Sequence, residues 1–339
     1  MGPRRKVRLE DIARSAAISI TTVSRALNDS PLVNARTKSL VWRLAREQNY
    51  SFRAYSPPRG EAEAETLALV IPYPQGRGPQ LSDPFMLDLI AGVGEAARAR
   101  GWDLTISHAT PNDSEQLPAL MQTMRANAVI FLGQSSLHGA FNRLAGKAWR
   151  FAVWGAQLPK QAYCSVGSDN VLGGRRATLH LARLGRRRIA FLGDIDAPES
   201  MQRREGYLAA MTQSGLTADP RLTVPAHFGI EAAAAAIDAL IHRRVRFDAI
   251  VAASDLIALG AIRALTRAGM KVPGDVAVVG YDDISFAPYM SPALTTVRQD
   301  TLLAGRLLVS KLMNGEETSR GHLSERLPTD LIVRESCGS

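Results

Sequence analysis

LEDIARSAAISITTVSRALN, residues 9–28, is the stretch on which the organisation of the chain turns. Leu9, Ile12, Ala13 and Ala16 recur at three- and four-residue spacing, and Val23, Ala26 and Leu27 do so again after a break at Ala17, Ile18 and Ser19. That pattern predicts two short helices meeting at a tight turn. Ser19 suits the N-cap of the second, because its hydroxyl can accept a bond from a free amide of the turn that begins at Ile20. The early residues Ile20, Thr21, Ser24 and Arg25 then lie on the outside, where the arginine can offer a guanine edge two parallel donors. A third helix is expected over 35–48, capped by Asn34, with Val41, Leu44 and Ala45 turned towards the first two. Three amphipathic helices of this kind bury one small core, and spacing alone does not say what they bind.

Charge does. Residues 1–60 hold twelve Lys and Arg against four Asp and Glu, so +8 of the chain's formal +9 sits on this segment and the remaining 279 residues are nearly neutral. A concentration of that sort matches phosphate neutralisation on double-stranded DNA. The run Leu9-x-Asp11-Ile12-Ala13, Ser19-x-x-Thr22-Val23-Ser24-Arg25-Ala26-Leu27-Asn28, then Val33 and Thr37, resembles the head of the LacI/GalR family of bacterial transcription regulators. The resemblance implies that Ile20, Thr21 and Arg25 lie where the family reads bases, and that Ser19, Ser24, Asn28, Asn34, Thr37 and Tyr50 lie where it holds phosphates. Ala17 departs from the family's turn glycine, so the turn has to accommodate a Cβ.

After Tyr50 the segment SFRAYSPPRGEAEAE reads as a linker, interrupted by Pro57, Pro58 and Gly60. The resemblance implies a hinge helix here that wedges a leucine into the minor groove, but Arg59 stands at that position and the two prolines precede it. Arg53 and Arg59 are expected on the DNA side. An arginine can enter a narrow A·T-rich minor groove without unstacking bases, although Arg59 as a solvated linker charge accounts for the sequence equally well.

From Thr66 the pattern changes to short apolar runs, 66–71, 103–108, 128–133, 151–154, 188–193, 249–254 and 276–280, with weaker strands near 222–225, 295–297 and 330–333. Between them come amphipathic helices over 85–100, 173–184, 203–214, 231–243 and 255–268. Alternation with such uniformly apolar strands predicts parallel sheets covered on both faces. The fold class expected is therefore multidomain: an all-α helix-turn-helix head over 1–50, a linker over 51–65, and an α/β core over 66–339 built of two doubly wound subdomains. The first subdomain is placed at 66–165 plus 298–326 and the second at 166–297 plus 327–339. Ligands of such sheets bind beyond the carboxyl ends of the strands, which between two sheets becomes a cleft. Ser82, Asp83 and Phe85, Trp154, Gln202 and Arg203, Ser254 and Asp255, and Tyr281, Asp282 and Asp283 all follow strands. Paired hydrogen bonding by Asp and Arg, with an aromatic ring for a C–H face, fits a polyhydroxylated small molecule. Asp255 is the strand-end aspartate best read as a helix cap.

The family resemblance continues through Asp169-Asn170-x-x-Gly173, Arg188-Ile189-Ala190-Phe191-Leu192-Gly193, Arg203-x-x-Gly206-Tyr207, Asp255-x-x-Ala258-x-Gly260 and Gly280-Tyr281-Asp282-Asp283. It implies a sugar-binding core like that of periplasmic binding proteins, with Arg203 and Asp282 on effector hydroxyls, Phe85 and Phe228 as an aromatic wall, Gln299 as a polar contact, and Ser254 where asparagine is frequent. Asp83 and Trp154 complete the expected effector contacts. A homodimer on a pseudo-palindromic operator is implied, and no coiled-coil heptads follow Val333.

Other classes fit less well. Gly92-Val93-Gly94-Glu95-Ala96-Ala97 matches a loose dinucleotide string, but it falls inside a helical pattern rather than at a strand-to-helix turn. No P-loop, nucleophile elbow or metal-ligand spacing appears, so an enzyme has no residues to name, and neither a cofactor nor a metal is expected. With no signal peptide and no apolar run near membrane-span length, a cytoplasmic location is expected, with Cys164 and Cys337 as free thiols.

Overall fold

The computed structural model describes residues 9–27, 30, 32–48, 65–72, 82–107, 109, 111, 115–147, 149–194, 196–227, 229–313 and 324–338. The chain divides into two units, Met1–Glu63 and Ala64–Ser339.

The first unit carries helices α1 (Leu9–Ala16), α2 (Ile20–Leu27) and α3 (Ala35–Glu47). They pack because their apolar positions fall on single faces: Ile12, Ala13, Val23, Ala26, Val33, Val41 and Ala45 are all buried together. Both expected caps are made, with the Thr22 amide donating to Ser19 Oγ at 3.0 Å and the Thr37 amide to Asn34 Oδ1 at 2.8 Å. Gln48 Nε2 donates to Ser15 Oγ at 2.7 Å, tying the end of α3 back to α1. The turn does accommodate its Cβ, with Ala17 held in the left-handed region at φ 53°. That conformation costs an alanine roughly 1 kcal/mol more than a glycine. Ala17→Gly should therefore stabilise the head by up to about 1 kcal/mol, less what glycine loses by its freer unfolded chain. Slower amide exchange in α1 and α2 of the variant would show it, and faster exchange would mean that the unfolded-chain term wins.

The second unit contains, in chain order, β1 (Thr66–Val70), α4 (Pro84–Arg98), β2 (Asp103–Ile106), α5 (Gln116–Thr123), β3 (Ala128–Leu132), α6 (His138–Ala145), β4 (Phe151–Trp154), β5 (Ser165–Ser168), α7 (Asn170–Arg183), β6 (Ile189–Gly193), α8 (Pro198–Gln213), β7 (Thr223–Pro225), α9 (Ile230–His242), β8 (Ala249–Ala252), α10 (Asp255–Arg267), β9 (Ala277–Asp282), β10 (Thr295–Arg298), α11 (Thr301–Met313), β11 (Glu325–Leu327) and β12 (Asp330–Ile332). Two six-stranded sheets result, ordered β11-β5-β4-β3-β1-β2 and β12-β10-β9-β8-β6-β7. All pairings are parallel except β10 with β12. The interior strands β3, β4, β6 and β8 are buried along their whole length, which is why they read as unbroken apolar runs.

The sequence division between lobes shifts slightly. Strand β5 pairs with β4 and β11 in the first sheet, so the chain leaves that lobe after Ser168 and not before Val166. It returns between β10 and α11, which packs against α4, and crosses once more between β11 and β12. Helices α5, α6 and α11 lie outside the helices expected from pattern. The dinucleotide-like string falls within α4, where its first glycine serves packing. A Cβ on Gly92 would stand 2.5 Å from the Thr301 carbonyl oxygen, and one on Gly305 would stand 2.3 Å from the Gly92 carbonyl carbon.

Candidate functional site

Both sheets reverse strand order once, between β1 and β3 in the first and between β6 and β8 in the second. Loops leaving strands at such a point diverge and leave a crevice for a ligand. The β1–α4 loop supplies Asp83 and Phe85. Pro84 starts α4, and Asp83 caps it, its Oδ1 accepting the Phe85 amide at 3.0 Å. Phe85 packs against the apolar cores of both lobes and lies 5.9 Å from the Trp154 ring, centroid to centroid. An aromatic wall therefore stands at the junction of the lobes. Phe228, expected in that wall, lies outside the described residues, as do Asn28, Tyr50, Arg53 and Arg59 of the expected DNA contacts.

The second lobe supplies Arg203. Apolar spacing places it directly after a strand at the head of a helix, but α8 begins five residues earlier, at Pro198, so the side chain projects from the second turn. Its Nε donates to Asn170 Oδ1 at 2.9 Å and its Nη1 to the Ala253 carbonyl, while Nη1 lies 3.8 Å from Asp282 Oδ1. The guanidinium rests 3.7 Å from the centroid of the Tyr281 ring. Asp282 in turn accepts from Gln299 Nε2 at 2.7 Å. Tyr281 and Asp282 belong to β9 itself rather than to the loop after it, and Asp282 leaves the strand at φ 117°. Arg203, Asp282 and Gln299 thus form one buried group, joined by an ion pair and a hydrogen bond.

The cap expected of Asp255 is made by its neighbour Ser254. Ser254 is the cap of α10, its extended backbone at φ -153° and ψ 166° letting Oγ accept the Ile257 amide at 3.2 Å. Asp255, one residue into the helix and fully buried, turns inward to accept from Thr296 Oγ1 at 2.5 Å and from the Ile284 amide at 2.9 Å. Its Oδ1 would stand 2.2 Å from a Cβ at Gly280, which explains that glycine. Ser254 Oγ is therefore committed as an acceptor at the start of α10, and its hydroxyl hydrogen is left to donate.

Further residues join the site: Gln202 is named from sequence beside Arg203 and Asn170 only within a family motif, whereas Glu199, Ser168 and Ser200 are not singled out there. Asn170 orients Arg203. Gln202 spans the lobes, its Nε2 donating to the Gln157 carbonyl at 2.9 Å. Glu199 lies one turn before Arg203 on α8, and both the arginine and the Ala156 amide of the other lobe favour its ionised form. Ser168 Oγ and Ser200 Oγ are buried without a protein partner, at the end of β5 and in the first turn of α8. A signal existed for Glu199 and Ser200 in Pro198, a residue suited to the first position of a helix.

Burial pushes the carboxyls of Asp83, Glu199 and Asp282 up, with Arg203 pulling each back, and drives Asp255 up to about 7 against its two hydrogen bonds. Asp255 thereby keeps a proton in the folded state that the unfolded chain gives up above about pH 4, so its contribution is whole below that and is lost as pH rises. For Asp255 the loss runs through about 7. We expect the core's thermal midpoint to be higher at about pH 5 than at about pH 8, and Asp255→Asn to flatten the slope. A midpoint rising over that interval would contradict this balance of charges.

The head presents a matching surface. Ile20 is 47 % exposed at the start of α2, Thr21 and Arg25 are exposed beside it, and Ser24 is half-buried. The side-chain oxygens of Ser19 and Asn34 cap helices, and Thr37 gives its amide to Asn34 while its side chain is partly exposed.

A family model described as bacterial regulatory proteins, lacI family, matches residues 8–51, and a periplasmic binding protein-like domain matches residues 178–337. Over 99% of its length the chain is 33% identical to the HTH-type transcriptional regulator CelR of Thermobifida fusca, covering all of that protein. The chain belongs to the LacI family. Another relative, the ribose operon repressor of Haemophilus influenzae, is 29% identical over 97% of this chain and 98% of its own. Among solved structures, a CelR–cellobiose complex matches 98% of this chain and 100% of its own with a TM-score of 0.69 at 31% identity. A lac repressor dimer bound to operator and the anti-inducer ONPF shares the fold, with a TM-score of 0.71 at 22% identity over 98% of this chain and 99% of its own. LacI-family membership accounts for a basic helix-turn-helix head and a two-lobed α/β core in one chain. Among the described residues no group of three or more His, Cys, Asp and Glu is placed to hold a metal, and no helix is long and apolar enough to cross a membrane.

Proposed function

We propose that this LacI-family regulator is a cytoplasmic repressor and not an enzyme, that it binds a pseudo-palindromic operator as a homodimer, and that a small carbohydrate in the cleft of its core sets its DNA affinity. The observation that carries the effector class is the buried group Arg203, Asp282 and Gln299, together with the Phe85–Trp154 ring pair at the junction of the lobes. Charged, bidentate groups and an aromatic face suit the hydroxyls and C–H face of a sugar. That a relative's solved complex holds cellobiose supports a saccharide and puts that disaccharide first in any trial.

In this reading residues 1–50 are the DNA-binding head, 51–65 the hinge and 66–339 the effector core. Ile20, Thr21 and Arg25 read bases in the major groove. Ser19, Ser24, Asn28, Asn34, Thr37, Tyr50 and Arg53 meet the phosphate backbone, and Arg59 reaches the minor groove. The carbohydrate contacts Asp83, Phe85, Trp154, Arg203, Phe228, Asp282 and Gln299, with Ser254 serving through its cap. Closing the lobes on the ligand shifts the two hinges of the dimer relative to each other, and coupling of this kind is worth about 1–3 kcal/mol, or roughly 5–150-fold in affinity.

The test is to incubate the full chain with random and own-genome DNA fragments at defined salt, with and without cellobiose and a pool of other sugars, and to sequence what stays bound. An enriched palindrome that changes with sugar supports the whole reading, and none in either condition defeats it. Arg25→Ala should cost about 1–3 kcal/mol of binding and relax specificity at one base pair of each half-site. An unchanged sequence preference would remove that residue from the base-reading set.

A further inference from the structure

The α4–α11 face of the first lobe holds a depression of about 340 Å³ that the cleft does not account for. Its floor is the close approach of the two helices at Gly92. Around it stand Arg98, Arg100 and Arg306 with the single carboxylate of Glu95, and Leu302 at one edge. All three arginines are exposed. Arg100 gives one N–H to the Ala96 carbonyl at 3.3 Å, and among the described residues none of the three guanidiniums has a carboxylate partner. Three arginines against a single carboxylate leave the depression with an excess of positive charge, and each offers a planar fork of donors that matches an oxyanion. A concave space at the lower end of the range for small-molecule sites suits a compact ligand better than an extended surface.

We propose that this depression binds a multivalent oxyanion, the phosphate group of a small molecule, and that the bound anion clamps α4 to α11. The position gives the clamp a consequence. Helix α4 is capped by Asp83 and carries Phe85 in its first turn, and α11 begins two residues after Gln299, so both helices that wall the depression start at the cleft.

The experiment is isothermal titration of the full chain with inorganic pyrophosphate and with inorganic phosphate, in the wild type and in an Arg98→Ala/Arg306→Ala double variant. The basic head also attracts phosphates, and that contribution is common to both proteins. We expect a saturable component, tighter for pyrophosphate, that weakens at least tenfold in the double variant while its melting temperature stays within a degree or two. Amide exchange of the wild type should slow in both 84–98 and 301–313 on adding pyrophosphate, and not in the variant. Superimposable titrations, or no saturable component, would overturn the site. Slowing confined to one helix would overturn the clamp. A change in sedimenting mass of the variant with unchanged titration would show that the arginines seat a second copy, which also overturns the proposal. None of these readouts uses DNA or a sugar, so the site stands or falls apart from the function proposed above.

Discussion

Arg203→Ala should abolish the response to effector, leave operator affinity at saturating protein unchanged, and cost the core about 3–5 kcal/mol, the range for removing one partner of a buried charge pair. The side chain is 6 % exposed, and it serves Asn170, the Ala253 carbonyl, Asp282 and the Tyr281 ring at once. Truncation leaves Asp282, also buried, with only Gln299 to accept from. The carboxyl then takes up a proton or water enters, and either outcome removes the charge on which a sugar hydroxyl would pair. Arg203→Lys separates the two effects. It restores a cation near Asp282 but not the fork that reaches Asn170 and Ala253 together, so much of the stability should return while the effector response does not. Thermal unfolding gives the first quantity and operator binding with and without sugar the second. A normal response in either variant would remove Arg203 from the effector site.

Gly206→Ala should be the most disruptive single methyl group in the second lobe. A Cβ there would stand 2.0 Å from the Val171 carbonyl oxygen and 2.7 Å from the Arg175 amide, both backbone atoms of α7 that have nowhere to go. The mirror contact lies across the same helix pair, where a Cβ on Gly174 would come 2.0 Å from the Arg203 carbonyl. The helices have to move apart, at a cost of about 1–3 kcal/mol or more for overpacking. Because α8 carries Glu199, Gln202 and Arg203, the shift should also lower effector affinity at least tenfold. Gly94→Ala is the control, since the nearest atom to its Cβ is a Leu104 side-chain carbon at 3.4 Å. That variant should be neutral or stabilised by up to about 1 kcal/mol, the helix preference for alanine over glycine. A Gly206→Ala protein that melts with the wild type would mean that the two helices are not held at this distance in solution.

The elements that were legible in the sequence share one property, that their evidence is local. The head showed itself through three- and four-residue apolar spacing and through Ser19 and Asn34, whose caps reach only three residues along the chain. The buried strands showed themselves because both faces are covered, which leaves no polar alternation. Helix α8 was cut short at its start because Ala197 caps it without a side-chain bond, so no polar residue marked the boundary and Glu199 went unnoticed. Helix α11, TLLAGRLLVSKLM, is apolar on too many sides for a single face to stand out. Ser254 and Asp255 are adjacent and equally able to cap, and what separates them is Thr296, 41 positions beyond Asp255.

Local pattern and charge distribution therefore determined that this chain has a basic helical head and a core of two parallel sheets, since periodicity and capping are properties of neighbours in sequence. Which polar groups share the cleft was decided only by the tertiary structure. Arg203 meets Asp282 across 79 positions, Asp282 meets Gln299 across 17 and Phe85 meets Trp154 across 69. The chain passes between lobes three times to bring them together, and strand order, which no short segment encodes, places the loops that carry them side by side.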